Sequence, residues 1–394
     1  MNIAILGFGT VGSGVYEILK NNKDSIKKRV GEEISVKHIL DIRDFSSHPD
    51  AQLFTNDYNV ILNDASVKVV AEVIGGIEPS LTFTKEALRA GKSVVTSNKE
   101  LVATHGAELF EIAKENNCSY LFEAAVGGGI PLIRPVYKDL AANNITKIMG
   151  ILNGTTNYIL TKMINEGKAF DSALKTAQEL GYAERNPEAD IEGHDTCRKI
   201  AILSSLVSDG QVDSSRIYTE GITKIDPDDV AYGECLGAVI KLVGYSEINK
   251  NAVYARVSPM YIKKDHPLAS AQDVFNAAMV TGDSVGDVMF YGKGAGKLPT
   301  ASAVLGDVID LCLDGSFIGW GKNEVPLESD ADSYTGAFVR ISDKNTAAFE
   351  SKYGITPVDD VVKGEKGYVI PCISEKELKT IDAIKIIRTE KNFI

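Results

Sequence analysis

The stretch Asn2–Leu19, NIAILGFGTVGSGVYEIL, decides how the first part of this chain folds. Asn2–Leu6 is a short apolar run, and Val15, Ile18 and Leu19 then recur at three- and four-residue spacing, so a strand gives way to a helix. Between them Gly7, Gly9 and Gly12 form G-x-G-x-x-G. Each glycine answers a steric demand: a tight turn, a close backbone approach to a pyrophosphate, and close contact of helix and strand. The pyrophosphate of a dinucleotide would sit on the helix N-terminus, where free N–H groups and the helix dipole favour an anion. Gly7, Phe8, Gly9, Thr10, Val11 and Gly12 are therefore candidate cofactor contacts.

Further along, Ser35–Asp41 reads as a second strand with Asp41 near its end. An acid there bonds the ribose 2′-OH of NAD. Arg43, close behind, would instead meet the 2′-phosphate of NADP, and Asp41 also reads as a plain turn residue. The choice between NADH and NADPH stays open at this point. Val69–Ile74 is a third buried run ending in Gly75-Gly76; a helix over Phe83–Ala90 and a strand Ser93–Thr96 lead to Ser97-Asn98-Lys99. A helix from about Leu101 to Asn116 and a strand Tyr120–Ala124 follow. Strands alternating with helices make a doubly wound parallel sheet. Ligands bind at the carboxyl ends of such strands, where Gly75, Gly76, Thr96, Ser97, Lys99 and Glu123 fall. A lysine in such a place also reads as a solvated loop charge.

Beyond Pro131 the pattern changes. Lys147–Leu152 reads as a strand, and NGTTNYIL then opens a helix with Thr155 or Thr156 as its N-cap. A helix over Ala173–Leu180 leads to Gly181–Lys199, GYAERNPEADIEGHDTCRK, which gathers Glu184, Asp190, Asp195 and Lys199. Ile200, Leu203 and Val207 continue at helical spacing, so Asp195 and Lys199 lie one above the other on one helix face. Such a pair also reads as an ordinary surface salt bridge. Carboxylates collected around one lysine suit a substrate that carries an ammonium and a hydroxyl. Residues 253–303 predict short strands and a glycine run, Gly292, Gly294 and Gly296, before a helix bearing Thr300 and Ser302. The run reads either as a second phosphate-approach loop or as a flexible turn. Gly319–Asp332 has the composition of a linker, and the last sixty or so residues predict a small α+β unit.

With 394 residues, 44% hydrophobic and 24% charged, the chain has the composition of a globular protein of two or three domains. Its net charge of −12 argues against nucleic acid or an anionic membrane as partner. No apolar run reaches the length of a membrane span. The start lacks a basic n-region, and the five scattered cysteines include no CxxC, which fits a cytoplasmic protein with reduced thiols.

The motifs GFGTVGSGV, GGIEP, TSNKE, EAAVGGGIP, GILNGTTNYIL, GYAERNPEADIEGHDTCRK and GKGAGKLPTASAV occur in an order that resembles homoserine dehydrogenase, over about Met1 to Cys312. The resemblance implies NAD(P)-dependent interconversion of L-aspartate 4-semialdehyde and L-homoserine, on the route to threonine, methionine and isoleucine. By matching motif, Lys199 is similar to the family's catalytic lysine and Lys99 to its partner near nicotinamide and substrate. Glu184, Asp190 and Asp195 match substrate-binding carboxylates, with Asp195 also in the catalytic group. Gly296, in GKGAGK, joins the cofactor set. Glu123, Val126, Gly128 and Ile130 resemble a monovalent-cation site, usually sodium, held mostly by backbone carbonyls.

The implied architecture is α/β: a Rossmann domain over 1–130, with a helix near 299–315 returning to it, and a substrate-binding and dimerisation domain over 131–320. A small ACT-like unit covers 330–394. The family's assembly implies a homodimer or a dimer of dimers. Two departures stand out. Asp41-Ile42-Arg43-Asp44 replaces the family's Val-Arg-Asp and displaces its arginine. The C-terminal unit is short and lacks an Asp-x-Pro-Gly loop, which counts against threonine feedback. Aspartate-semialdehyde dehydrogenase, the competing reading among enzymes, needs a nucleophilic cysteine, and none of the five has that setting. A cofactor-binding regulator without activity would not need the lysine and carboxylate set.

Overall fold

The computed structural model describes residues 1–250, 252–313, 317–358 and 361–393. In its first sheet, β1 (Asn2–Leu6) is flanked by β2 (Ser35–Leu40) and β4 (Val67–Glu72). Outside them lie β3 (Phe54–Thr55), β5 (Ser93–Thr96) and β6 (Tyr120–Leu121). The order is β3-β2-β1-β4-β5-β6 and every pairing is parallel. Helices α1 (Thr10–Asn21), α2 (Ser80–Arg89) and α3 (Lys99–Glu115) supply the crossovers. Sheet faces covered on both sides explain the unbroken apolar runs, and Ile3 to Leu6 are wholly inaccessible. The strand order reverses between β1 and β4, which opens a crevice at their carboxyl ends.

The strand expected over Tyr120–Ala124 stops at Leu121 and gives way to a 3₁₀ turn, Glu123–Ala125. The Glu123 carboxylate accepts the N–H groups of Leu132 (2.6 Å), Ile133 and Arg134 (2.8 Å each). The Glu123 N–H itself goes to Asp307, so the chain is folded back on itself there instead of running on.

Residues 145–293 build most of a second, largely antiparallel sheet from β7 (Ile145–Ile151), β8 (Tyr218–Thr219), β9 (Ala238–Ile248), β10 (Val253–Lys263), β11 (Phe275–Gly282) and β12 (Gly286–Lys293). The short strands expected after Val253 are longer in fact: β10 has 11 residues and β11 and β12 have 8 each. Helices α4 (Gly154–Glu166), α5 (Phe170–Glu179) and α6 (His194–Ser208) belong to this half. The N-cap of α4 is Asn153, not Thr155 or Thr156; its side chain accepts the Thr156 N–H at 2.9 Å. Then α7 (Lys297–Leu313) returns to the first domain and lies on α1. The approach is close enough that a Cβ on Gly14 would sit 2.7 Å from the Lys297 carbonyl. The last two positions of the expected helix, 314 and 315, lie outside the described residues.

Two expectations about chain organisation change. The segment expected as a linker is a strap. Trp320 is buried against Phe110 and Phe122, and backbone bonds tie Asn323 and Val325 to Gln211, and Pro326 and Glu328 to Val253. A polar composition cannot reveal backbone partners supplied from far away in sequence. The C-terminal strands also join the second sheet instead of standing apart: β13 (Tyr334–Ser342), β14 (Glu365–Ser374) and β15 (Lys385–Thr389) extend it through β10, in the order β12-β11-β7-β9-β10-β15-β13-β14. Buried ion pairs fix that seam. Arg340 on β13 reaches Asp229 and Glu365 at 2.7 Å, and Arg388 on β15 reaches Glu375 at 2.8 Å. Removing one member of such a pair leaves a buried charge unmatched. Arg340→Ala should therefore lower unfolding stability by about 3–5 kcal/mol. Arg216→Ala, which breaks the exposed pair with Glu324, should cost under about 1 kcal/mol. Paired denaturant melts check both values.

Candidate active site

A cleft of about 1230 Å³ opens between the two sheets. Its wall brings together Ser97 and Lys99 at the end of β5, Asn153 and Thr155 at the start of α4, and Glu184 and Asp190 from the acidic loop. Asp195 and Lys199 face it from α6, and Val11 from α1. Residues 293–300 enter from the loop before α7 and its first turn.

The geometry turns on Asp195, which is 3% exposed. Lys199 Nζ lies 2.9 Å from its Oδ2, and Lys99 Nζ lies 2.6 Å from its Oδ1. One carboxylate is thus shared by two ammonium groups from different domains. The i,i+4 pair expected on α6 is present, but buried and not a surface salt bridge. Local sequence places each partner. Asn98 caps α3 and so presents Lys99 at its first position, while Gly193, with φ of 84°, starts α6 one residue before its first turn. A second ion pair, Arg198 to Glu100 at 3.1 Å, joins the same two helices. Lys199 also donates to the Leu152 carbonyl at 2.7 Å.

These contacts separate the ionisation of the groups. Burial pushes Lys199 below the usual lysine value; Asp195 partly offsets this and Lys99 adds to it. Burial also works against the charge on Lys99, but the charge and hydrogen bond of Asp195 prevail and the net shift is upward. The two lysines therefore do not both go down, as mutual repulsion alone would require. Burial raises Asp195, yet Lys199 and Lys99 outweigh it and hold the carboxyl well below its ordinary range. Burial, then the neighbouring Asp195, moves Asp190 the other way, upward. Glu184 is exposed at the rim.

The glycine turn fits a dinucleotide. Gly7 has φ of 93°, and a Cβ on Gly12 would fall 1.9 Å from the Gly7 carbonyl, so neither position takes a side chain. Gly9 faces open space, and α1 has no side-chain cap, which leaves its first N–H groups available for an anion. Asp41 accepts from the Phe8 N–H (2.8 Å) and, twice, from the Arg43 guanidinium (2.9 and 2.8 Å). The two residues set against each other as cofactor readers are thus bonded together. Phe8 turns its ring into a cluster with Phe45, Phe54 and His48. Gly7, Phe8, Gly9, Thr10 and Gly12 at the turn into α1, and Asp41, Arg43, Gly75 and Gly76 beyond strand ends, lie outside the cleft wall, while Val11, Ser97, Lys99 and Gly296 line it. The Thr96 hydroxyl is buried and donates to Glu72 at 2.7 Å, and Thr96 is not part of the cleft wall.

Val126 and Gly128 line the cleft; Glu123 and Ile130 do not. The Glu123 carboxylate is committed to backbone N–H groups, so it has a structural task there. Of the expected glycine run, Gly292 lies in strand β12, while Gly294 and Gly296 form the turn that lines the cleft. A Cβ on Gly294 would collide with Asn276, and one on Gly128 with the Gly294 carbonyl. Sequence reasoning missed Asn153, although asparagine directly before a helical run is a known cap signal. It also missed the Glu100–Arg198 pair, which no local spacing reveals.

A family model described as homoserine dehydrogenase matches residues 131–309, and one described as homoserine dehydrogenase, NAD binding domain, matches residues 7–123. The Bacillus subtilis homoserine dehydrogenase is 38% identical over 405 residues, spanning 100% of this chain and 93% of that protein. This chain belongs to the homoserine dehydrogenase family. It is an NAD(P)-dependent oxidoreductase that interconverts L-aspartate 4-semialdehyde and L-homoserine, a step toward threonine, methionine and isoleucine. The crystal structure of a homoserine dehydrogenase from Thiobacillus denitrificans aligns with a TM-score of 0.90 at 34% identity, covering 99% of this chain and 98% of that one. A hyperthermophilic archaeal homoserine dehydrogenase in complex with NADPH aligns over 78% of this chain and 96% of its own, with a TM-score of 0.66 and 31% identity. Among the described residues no cysteine lines the cleft, so the thioester chemistry of an aspartate-semialdehyde dehydrogenase has no nucleophile there.

The open space beside Gly9 separates folding from cofactor binding. Gly9→Val should leave the melting temperature within about 2 °C and weaken NADPH binding at least tenfold, as read by cofactor fluorescence. Loss of fold and binding together would contradict the placement of Gly9.

Proposed function

We propose that Lys199 is the proton donor and acceptor of the homoserine dehydrogenase reaction, that Asp195 holds it charged and in place, and that Lys99 adds positive potential beside it. The observation that carries this reading is the pair of ammonium groups on one buried carboxylate at the edge of the cleft. A nicotinamide cofactor, when bound, supplies or takes up the hydride at the carbon that interconverts between aldehyde and alcohol. Gly7 to Gly12 and the free N–H groups of α1 would hold its pyrophosphate, and Asp41 or Arg43 its ribose. Lys199 has three ammonium hydrogens. Leu152 and Asp195 take two, and the third remains for the substrate oxygen. In reduction that hydrogen moves to the oxygen as negative charge develops; in oxidation Nζ takes the hydroxyl proton back. The downward shift of Lys199 suits transfer near neutral pH. Lys99 adds positive potential beside the same oxygen. Glu184 and Asp190 bind the substrate ammonium, which selects an amino acid over a plain aldehyde.

A monovalent cation, sodium in this reading, would sit on the carbonyls of Glu123, Val126, Gly128 and Ile130. What supports it is that Val126, Gly128 and Ile130 are buried and, among the described residues, nothing donates a hydrogen bond to their carbonyls. The domain roles follow: 1–130 binds cofactor, 131–320 binds substrate and forms a homodimer or a dimer of dimers, and 330–394 is an ACT-like addition. Exposed Met289 and Tyr291 on the edge strand β12 support self-association. Five unpaired cysteines support a cytoplasmic setting.

The test is the initial rate of L-homoserine oxidation with NAD and NADP in parallel. Turnover with either is expected, and the ratio decides between Asp41 and Arg43 as the ribose reader. Lys199→Ala should lower kcat by about 10²–10⁴-fold with cofactor affinity retained; turnover within a few-fold of the parent would refute the assignment. The pH profile has a defined sign. Asp195 raises Lys199 and Lys99 lowers it. Asp195→Asn should therefore move the limb set by Lys199 to lower pH, and Lys99→Met should move it to higher pH. Replacing sodium with choline should reduce activity, and restored sodium should recover it.

A further inference from the structure

Asn153 stands between β7 and α4, next to the Leu152 carbonyl that holds Lys199. It is 6% exposed and its amide is fully used. Oδ1 accepts from the N–H and the hydroxyl of Thr156, at 2.9 and 3.1 Å. Nδ2 donates one hydrogen to Asp190 Oδ1 at 2.7 Å and the other to Asp195 Oδ2 at 2.9 Å. The bond to the helix N–H fixes the orientation, because a flipped amide would lose the cap and turn its oxygen toward two carboxylates. One NH₂ group thus lies between two acids with opposite tasks. Asp195 is clasped by Lys99 from α3 and Lys199 from α6, while Asp190 has no ammonium within ion-pair distance among the described residues. The other cation near this group, Arg198, is turned to Glu100.

We propose that Asn153 is a positioning residue for the reaction: by bridging Asp190 and Asp195 it keeps two neighbouring carboxylates at a fixed separation, one held for the lysines and the other aimed at the substrate's ammonium. This rests on the roles given above to Lys199 and Asp190. Two like charges with nothing between them would turn apart or share a proton. A donor on each relieves the repulsion and favours both ionised forms. The bridge therefore acts on recognition of the amino group more than on the hydride step. It also connects the cap of α4 to the acidic loop, so cap and substrate site move as one unit.

Asn153→Ser and Asn153→Asp test this, because serine and aspartate are both competent helix caps and neither can donate to two carboxylates. Expected for Asn153→Ser is a rise of about tenfold in KM for homoserine, with kcat within about threefold, the loss being one of binding in the ground state. The acidic limb of kcat/KM should move to higher pH, since Asp190 loses a donor that favours its charge. Asn153→Asp, which adds a third carboxylate, should raise KM further. NADPH affinity should stay within twofold in both. KM and acidic limb equal to the parent's would overturn the proposal. So would loss of cofactor affinity or of fold in both variants, which would make Asn153 a structural residue only. Lys199→Ala measured alongside keeps the two failures apart. If it retains turnover, the site assignment itself is wrong; if it is inactive while Asn153→Ser behaves like the parent, the bridge alone is wrong.

Discussion

A carboxylate buried between two ammonium groups is the constraint on which the rest of the site depends. Asp195 taken from water alone would be costly to keep charged, and so would Lys199. Together with Lys99 they keep their charges, but only while the two domains hold their relative position to within hydrogen-bond distance. The structure meets that demand several times over. The Glu100–Arg198 pair joins the same helices one residue away. The α7 helix lies on α1, and the strap through Trp320 ties α3 to Gln211 and the second sheet. Electrostatics at the site and packing far from it are thus parts of one arrangement.

The second sheet gives the site its floor. β7 is followed directly by Leu152 and Asn153, which hold Lys199 and the two aspartates. Packing of α6 on β9 and β10 sets the depth of Asp195 and Lys199. The C-terminal strands extend the same sheet through β10 and are locked by Arg340 and Arg388. They add buried ionic contacts to that sheet, and none of their described residues lines the cleft.

Individual residues show how far local pattern reaches. Gly7, Gly9 and Gly12 could be read directly because a turn at a helix start has a short, rigid geometry that few residues allow. Asp195 and Lys199 could be paired because helical spacing fixes which residues share a face. The partner of the Thr96 hydroxyl is not legible at the strand end, because Glu72, which accepts it, is 24 residues away. The strap was misread as a linker for the same reason: its backbone partners, Gln211 and Val253, are remote in sequence. Asn153 carried a readable cap signal, but its two acid partners lie 37 and 42 residues further on.

The sequence by itself therefore determined the parallel first sheet, the dinucleotide turn, the family and the helical pairing of Asp195 with Lys199, because each rests on short-range sterics or on a run of specific motifs. Only the tertiary structure decided that Lys99 and Lys199 share one carboxylate, that their ionisation shifts in opposite directions, and that Asp41 and Arg43 are bonded together. It also decided that the C-terminal strands belong to the second sheet. These depend on distances between groups that the chain brings together from far apart and on how much water each retains. Neither quantity is written in local spacing.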